Sequence, residues 1–250
     1  MPSFWATYLS DINKAAFYAH EDWVRRGRTG PGRFVLEGKD LSKAEYICRS
    51  LGWARLVDCD LSDGKFHPSF DHAELIRCSF RNMMWMNLPG FDGALLEECD
   101  FTGAGLSLAG FQDATVMRCR LAGVPMRRGG FDRARIVQTD FSLCKLESVH
   151  MDDALVENCD FRGTDFRPEP RNDYLNRFHG VRFIRCDFRG ANLDGRRVRD
   201  AVFDHCRFHG LVGIPVLEGP CTIIDPDMSE AGDESGVVDG EIVRQQWVRS

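Results

Sequence analysis

The chain has 250 residues, 43% of them hydrophobic, with 32 basic and 38 acidic side chains, the make-up of one or two water-soluble domains. No stretch approaches the roughly 18 apolar residues of a membrane span, and Met1-Pro2-Ser3-Phe4-Trp5 lacks the basic and apolar regions of a secretory leader, which predicts a cytoplasmic protein with no membrane partner. The charge is uneven: residues 41–210 carry 24 basic and 25 acidic groups, residues 211–250 carry two and eight, and this balance argues against direct nucleic-acid binding.

At the N-terminus, Trp5, Tyr8, Leu9, Ile12, Ala16 and Trp23 follow helical spacing and Ser3 is a candidate N-cap. The spacing predicts a helix over 3–26, closed by Gly30-Pro31-Gly32, within a capping segment 1–33. Its apolar face is expected to seal whatever follows.

From residue 34 to 212 hydrophobic residues recur every fifth position: Phe91, Leu96, Phe101, Leu106, Phe111, Val116, Leu121 and onward to Phe161 and Phe166. Two residues before most of them stands a small side chain, such as Ala94, Cys99, Ala104 or Cys119. A period of five suits neither a helix face nor a simple strand. It predicts a solenoid of short stacked units. Every fourth unit shares a character. Leu56, Leu75, Leu96, Val116, Ile136, Val156, Phe183 and Phe203 follow mostly Ala; Leu61, Phe80, Phe101, Leu121, Phe141, Phe161, Phe188 and Phe208 follow mostly Cys. Two ladders kept apart at a 20-residue spacing imply four units per turn.

The expected core therefore includes Leu96, Phe101, Phe111, Phe141, Phe161 and Phe188, with Cys99, Cys119 and Cys159 as small packing groups rather than disulfides or ligands. Each buried Leu or Phe should contribute about 1.5–3 kcal/mol.

The remaining two ladders are less regular. The third runs Phe66, Trp85, Leu106, Met126, Leu146, Phe166, Leu193; the fourth runs Phe70, Phe91, Phe111, Phe131, Met151, a gap, then Val198. Pro68 and Pro89 interrupt strand chemistry between them. Phe166 and Phe183 are separated by seven residues more than two units need, which predicts a projecting loop at 167–180. Arginines gather at the same corner. Arg127, Arg128, Arg171, Arg177, Arg196 and Arg197, with Tyr174, are the candidate partner-binding residues, suited to an acidic partner. Arg196 falls at an inward position, so its coil is expected to be distorted there or Arg196 to reach a carboxylate. Beyond the repeat, 213–250 is an acidic segment whose last stretch, from Glu241 to Val248, offers apolar residues for capping or for a homodimer contact.

Cys99-Asp100-Phe101-Thr102-Gly103, Cys159-Asp160-Phe161-Arg162-Gly163 and Ala191-Asn192-Leu193-Asp194-Gly195 show the unit in full: small, polar, Leu or Phe, then two polar positions. The pattern resembles the pentapeptide-repeat family over about 34–212. The resemblance implies an all-β solenoid: a right-handed, four-sided parallel β-helix with its Leu/Phe and small residues inward. Eight or so coils about 4.8 Å apart would make a rod roughly 40 Å long.

Candidate chemistry is thin. No Cys-x-x-Cys pair occurs, and His205, Cys206 and His209 lack a fourth ligand, so no metal or cofactor is expected. His72 beside Asp71, and His150 near Asp152 and Asp153, suggest acid–base pairs, but no nucleophile accompanies them, so no catalytic residue is expected and the chain reads as non-enzymatic. The reading favoured is a protein-binding rod or scaffold acting through the Arg-rich edge and loop. The resemblance adds an immunity or adaptor role as its biological setting. It also implies an alternative, since the family's quinolone-resistance members mimic a DNA duplex and bind DNA gyrase or topoisomerase IV. The near-neutral repeat body speaks against that alternative.

Overall fold

A computed structural model of the chain describes residues 14–42, 45–47, 50–66, 69–85, 88–169 and 177–248. The inward residue of each five-residue unit sits in a very short strand, and the residues after it turn the chain through a corner. Strands recur coil after coil and pair in parallel. The first face is a ten-stranded parallel sheet in which each coil hydrogen-bonds to the next. It begins at Val35–Glu37, passes through Leu95–Glu97 and Thr115–Met117, and ends at Cys221–Ile224. Its register steps by 20 residues in the regular part, as in Ile136 opposite Val116 and Val156. It absorbs the long insertion without slipping, with Val156 opposite Phe183.

The ladders read from the spacing are the core. Leu96, Phe101, Phe111, Phe141, Phe161 and Phe188 are buried, as are Cys99, Cys119 and Cys159. Identical rings stack face to face at the coil rise: Phe80 on Phe101 at 4.8 Å, Phe91 on Phe111 at 4.8 Å and Phe111 on Phe131 at 4.7 Å. Thiols close local hydrogen bonds, Cys99 Sγ donating to the Leu75 carbonyl at 3.3 Å and Cys144 Sγ to that of Leu121 at 2.9 Å. Burial pushes the Cys99, Cys159 and Cys186 thiols well above their ordinary range and those of Cys144 and Cys221 to about 12. They behave as packing groups.

Both ends are sealed. Helix α1, Lys14–Arg25, lies over the first coil; the rest of the helix expected over 3–26, up to residue 13, falls outside the described residues. Phe17 stacks on Phe34 at 4.3 Å, and His20 joins helix to coil. Its Nδ1 accepts from the Phe34 amide at 3.0 Å and its Nε2 donates to the Gly52 carbonyl at 2.8 Å. The coils run past residue 212, where the spacing ended them, through the strands Val216–Leu217 and Cys221–Ile224. The acidic segment then folds back on the last coil. Asp227 is buried, accepting from the amides of Ser229 at 2.8 Å and Glu234 at 3.1 Å. Helix α2, Gly240–Val248, starts at an Asp239 cap and places Trp247 edge-on against Phe203 and Phe208, 5.5 Å from each. Of the two readings left open for this segment, capping is therefore what its buried face does.

Candidate interaction edge

The edge forms where the chain leaves the stack. Phe166 closes the third face, and Arg167 turns outward, its guanidinium on Asp165 at 2.7 Å. The base of the insertion is tied down: the Glu169 amide donates to the buried Ser148 hydroxyl at 3.0 Å, and Arg128 Nε donates to the Glu169 carboxylate at 2.8 Å. Residues 170–176, which include the candidates Arg171 and Tyr174, lie outside the described residues. The chain re-enters earlier than the spacing suggested. Arg177–His179 is a strand paired with Arg197–Arg199, and its Phe178 is fully buried. Phe178 is the missing rung of the fourth ladder. The expected loop at 167–180 is thus corrected at its end: 177–179 belongs to the coil.

Arg196 shows how the stack survives the insertion. Its side chain is 0% exposed. Nε and Nη2 donate to the Phe166 carbonyl at 3.1 and 2.7 Å, Nη1 to that of Val149 at 2.8 Å, and Nη2 also to that of Leu146 at 3.2 Å. The guanidinium also lies 4.6 Å from the Phe178 ring centre. A guanidinium offers five donors in a fixed fork, enough to satisfy several carbonyls at once. Burial pulls its pKa down to about 9, so it stays charged at neutral pH. The expected carboxylate partner is replaced by three carbonyls, and Arg196 is removed from the surface candidates. It positions the edge from within.

The other arginines stand beside carboxylates. Arg127 meets Glu147 at 3.0 Å, Arg177 meets Asp152 at 3.1 Å, and Arg197 meets Glu218 at 2.8 Å. The edge is therefore zwitterionic rather than basic, which corrects the expectation of a surface suited to an acidic partner. These partners were readable as opposite charges about one coil apart, as in Arg127 and Glu147. Ser148 and Glu169 gave no comparable signal.

The candidate acid–base pairs resolve differently. His150 pairs with Asp132 at 2.7 Å rather than with Asp152 or Asp153. Burial pushes the Asp132 carboxyl up, but the His150 contact and the Asp152 amide overcome it and hold it low. His72 stacks on Trp53 at 4.1 Å, and Arg28 covers the Trp53 ring at 3.8 Å. Among the described residues no cluster of His, Cys, Asp or Glu is arranged to hold a metal, and no helix is long and apolar enough to cross a membrane.

The class defined by this geometry is a four-sided solenoid of parallel β-coils, built from five-residue units. The chain is a pentapeptide-repeat protein: the family model, pentapeptide repeats in eight copies, matches residues 177–211. No curated protein was found to match the sequence. Among solved structures, the chain is similar to HetL, a pentapeptide-repeat protein involved in heterocyst differentiation regulation from the cyanobacterium Nostoc, at 16% identity and a TM-score of 0.35, covering 89% of this chain and 98% of that one. It is similar to a trypsin-treated form of QnrB1, a plasmid-mediated fluoroquinolone resistance protein, at 14% identity and a TM-score of 0.33, covering 75% and 92%. A third is Rfr23 from the cyanobacterium Cyanothece, at 14% identity and a TM-score of 0.24, covering 61% and 91%.

Proposed function

We propose that this protein is a non-enzymatic, protein-binding scaffold that engages its partner through the edge between the third and fourth faces and the segment leaving it after Phe166. One observation carries the reading. The stack is interrupted there, yet the first face keeps register across the insertion and a buried arginine replaces the lost backbone pairing. An insertion that lengthens one coil and demands a charged residue inside the stack is explained by a role outside the repeat itself. Because the flanking charges are already paired, the partner surface is of mixed charge, exchanging ion pairs at the rim rather than supplying a strong field.

The test compares the full chain with a variant in which 168–176 is replaced by a short Gly/Ser link, sparing Phe178 and Arg196. Both are used as baits for proximity cross-linking in the source cell. Partners captured by the full chain and lost from the equally folded variant support the edge. Identical capture by both removes it.

A further inference from the structure

The outward side of the first face differs from those of the second and fourth. Each strand turns its middle residue inward and its two flanking residues to solvent. On this face nine of the ten coils present an exposed or half-buried aliphatic or thioether side chain among those flanks, Val35, Ile76, Leu95, Met117, Val137, Leu155, Ile184, Val202 and Ile224 in turn, while Val57 of the second coil is buried. The outward positions of the second face are by contrast Asp, Ser, Thr, Arg and His, with Ala122 the largest aliphatic. Those of the fourth, from Ser69 on, are Ser, Gly, Asp, Gln, Arg and His up to Val216. Of these three sides the first alone carries a long apolar spine among the described residues, interrupted at the second coil. Nine intervals of about 4.8 Å make it about 43 Å long.

We infer that this face is the contact between two copies of the chain, packed sheet on sheet with the rods antiparallel. The commitment to a second copy comes from self-complementarity. A two-fold axis along the strand direction sets the third coil on the eighth, the fourth on the seventh and the fifth on the sixth. Ile76 then meets Ile184, Leu95 meets Leu155, and Met117 meets Val137. In the same register Glu74, which holds Arg33 at 3.0 Å and Arg55 at 2.7 Å within its own chain, faces Arg182, and Arg55 faces the coil that carries Asp204, itself paired with His205. Arg182 is exposed and has no carboxylate partner among the described residues. One like-charge match arises, Glu97 over Glu157, and each already holds an arginine: Arg118 on Glu97 and Arg135 on Glu157, the latter at 2.8 Å. The alternatives are worse. A shift by one coil sets Arg55 on Arg182, or Arg135 on its own copy. A parallel pair of rods sets Leu95 on Glu97 and Leu155 on Glu157.

A face about 43 Å long and one short strand wide buries on the order of 1,000 Å² over both copies, the lower limit for a specific contact. The dimer is therefore expected to be reversible and concentration-dependent, with dissociation in the micromolar range.

Sedimentation velocity on the full chain over a hundredfold concentration range should show a monomer–dimer equilibrium. Ile184→Lys should shift it at least tenfold toward monomer, since it sets a lysine on Ile76. Adding Ile76→Glu to the same chain should restore association by setting the new charges on each other. The circular dichroism of each variant checks that the coils are intact. Register is read by disulfide trapping. Ile76→Cys mixed with Ile184→Cys should cross-link, whereas Ile76→Cys alone should not, because its copies lie about five coil spacings, roughly 24 Å, apart. A monomer at every concentration overturns the inference, as does a dimer untouched by Ile184→Lys or an Ile76→Cys chain that cross-links to itself. Partner capture through the opposite edge does not depend on this contact, so the two readings fail separately.

Discussion

Two single residues hold the irregular parts of this rod, and each makes a measurable claim. Arg196 donates to the carbonyls of Leu146, Val149 and Phe166 from a fully buried site. Arg196→Met keeps much of the volume but leaves the Val149 and Phe166 carbonyls without donors, while the Leu146 carbonyl still accepts from the Val149 amide at 3.4 Å, and a buried group left unpaired costs about 1–3 kcal/mol. With two carbonyls left unpaired, a loss of roughly 2–5 kcal/mol in urea unfolding is expected, and a loss under about 1 kcal/mol would show that the site is hydrated. Arg196 was visible in the sequence as an anomaly because an inward position held a charge. Its partners were not, because backbone carbonyls carry no sequence signature.

His20 titrates the N-terminal seal. Burial lowers its pKa below the ordinary 6.5, and its Nδ1 must stay unprotonated to accept the Phe34 amide. Above pH 6.5 the ring is neutral in both folded and unfolded chains, so pH changes nothing through this group. As pH falls below 6.5 the unfolded chain takes up the proton first, and stability drops until the folded ring titrates too. The difference in thermal midpoint between the native chain and His20→Gln should therefore narrow as pH falls from 7 to 5. A difference independent of pH would mean that folding leaves the His20 pKa unshifted, and one that widens as pH falls would mean that the folded ring takes up the proton.

At the scale of elements, each coil needs the next, so the terminal seals set where unfolding starts. Trp247 is the main anchor of α2, and Trp247→Ala is expected to cost about 3–5 kcal/mol. Hydrogen exchange should speed up first in Cys221–Ile224 and then in Ala201–Asp204, the strands under the cap. Ile242→Ser, on the exposed side of the same helix, should leave both unchanged; equal effects would assign α2 another role. Here the legibility of the sequence depends on spacing. The first and second ladders were read almost residue by residue, since strict 20-residue recurrence admits one registration. The fourth was read with a gap, because Phe178 re-enters after an insertion that no period predicts. The glycines of that face were also mute: Gly90 and Gly110 leave room for the Asp71 and Asp92 carboxylates of the preceding coil, which cap the amides of Asp92 at 3.0 Å and Gln112 at 2.9 Å.

For the whole molecule the decisive quantity is how charge is distributed along the rod. Arginines bridge to the neighbouring coil in columns: Arg77 to Asp58 at 2.6 Å, Arg118 to Glu98 at 3.0 Å and Arg133 to Asp113 at 2.7 Å. Much of the second face's acidity is spent on turns, Asp60, Asp100, Asp140 and Asp160 each accepting the amide two residues on at 2.9 Å. A duplex mimic needs a dense, uncompensated negative field to compete for a basic groove. Here many of the coil carboxylates are either matched or structural. We therefore predict neither inhibition of DNA gyrase nor protection of its supercoiling from a quinolone at stoichiometric protein. The acidic last forty residues are the one part not neutralised by the repeat. If two rods pair antiparallel through their first faces, those segments lie at opposite ends of the assembly and cannot concentrate charge at its centre. Protection at low micromolar protein, abolished by reversing the outward carboxylates of the coils, would show that the neutralisation argued here is insufficient. Protection lost instead on neutralising only the acidic residues after Glu218 would place the active charge at the ends.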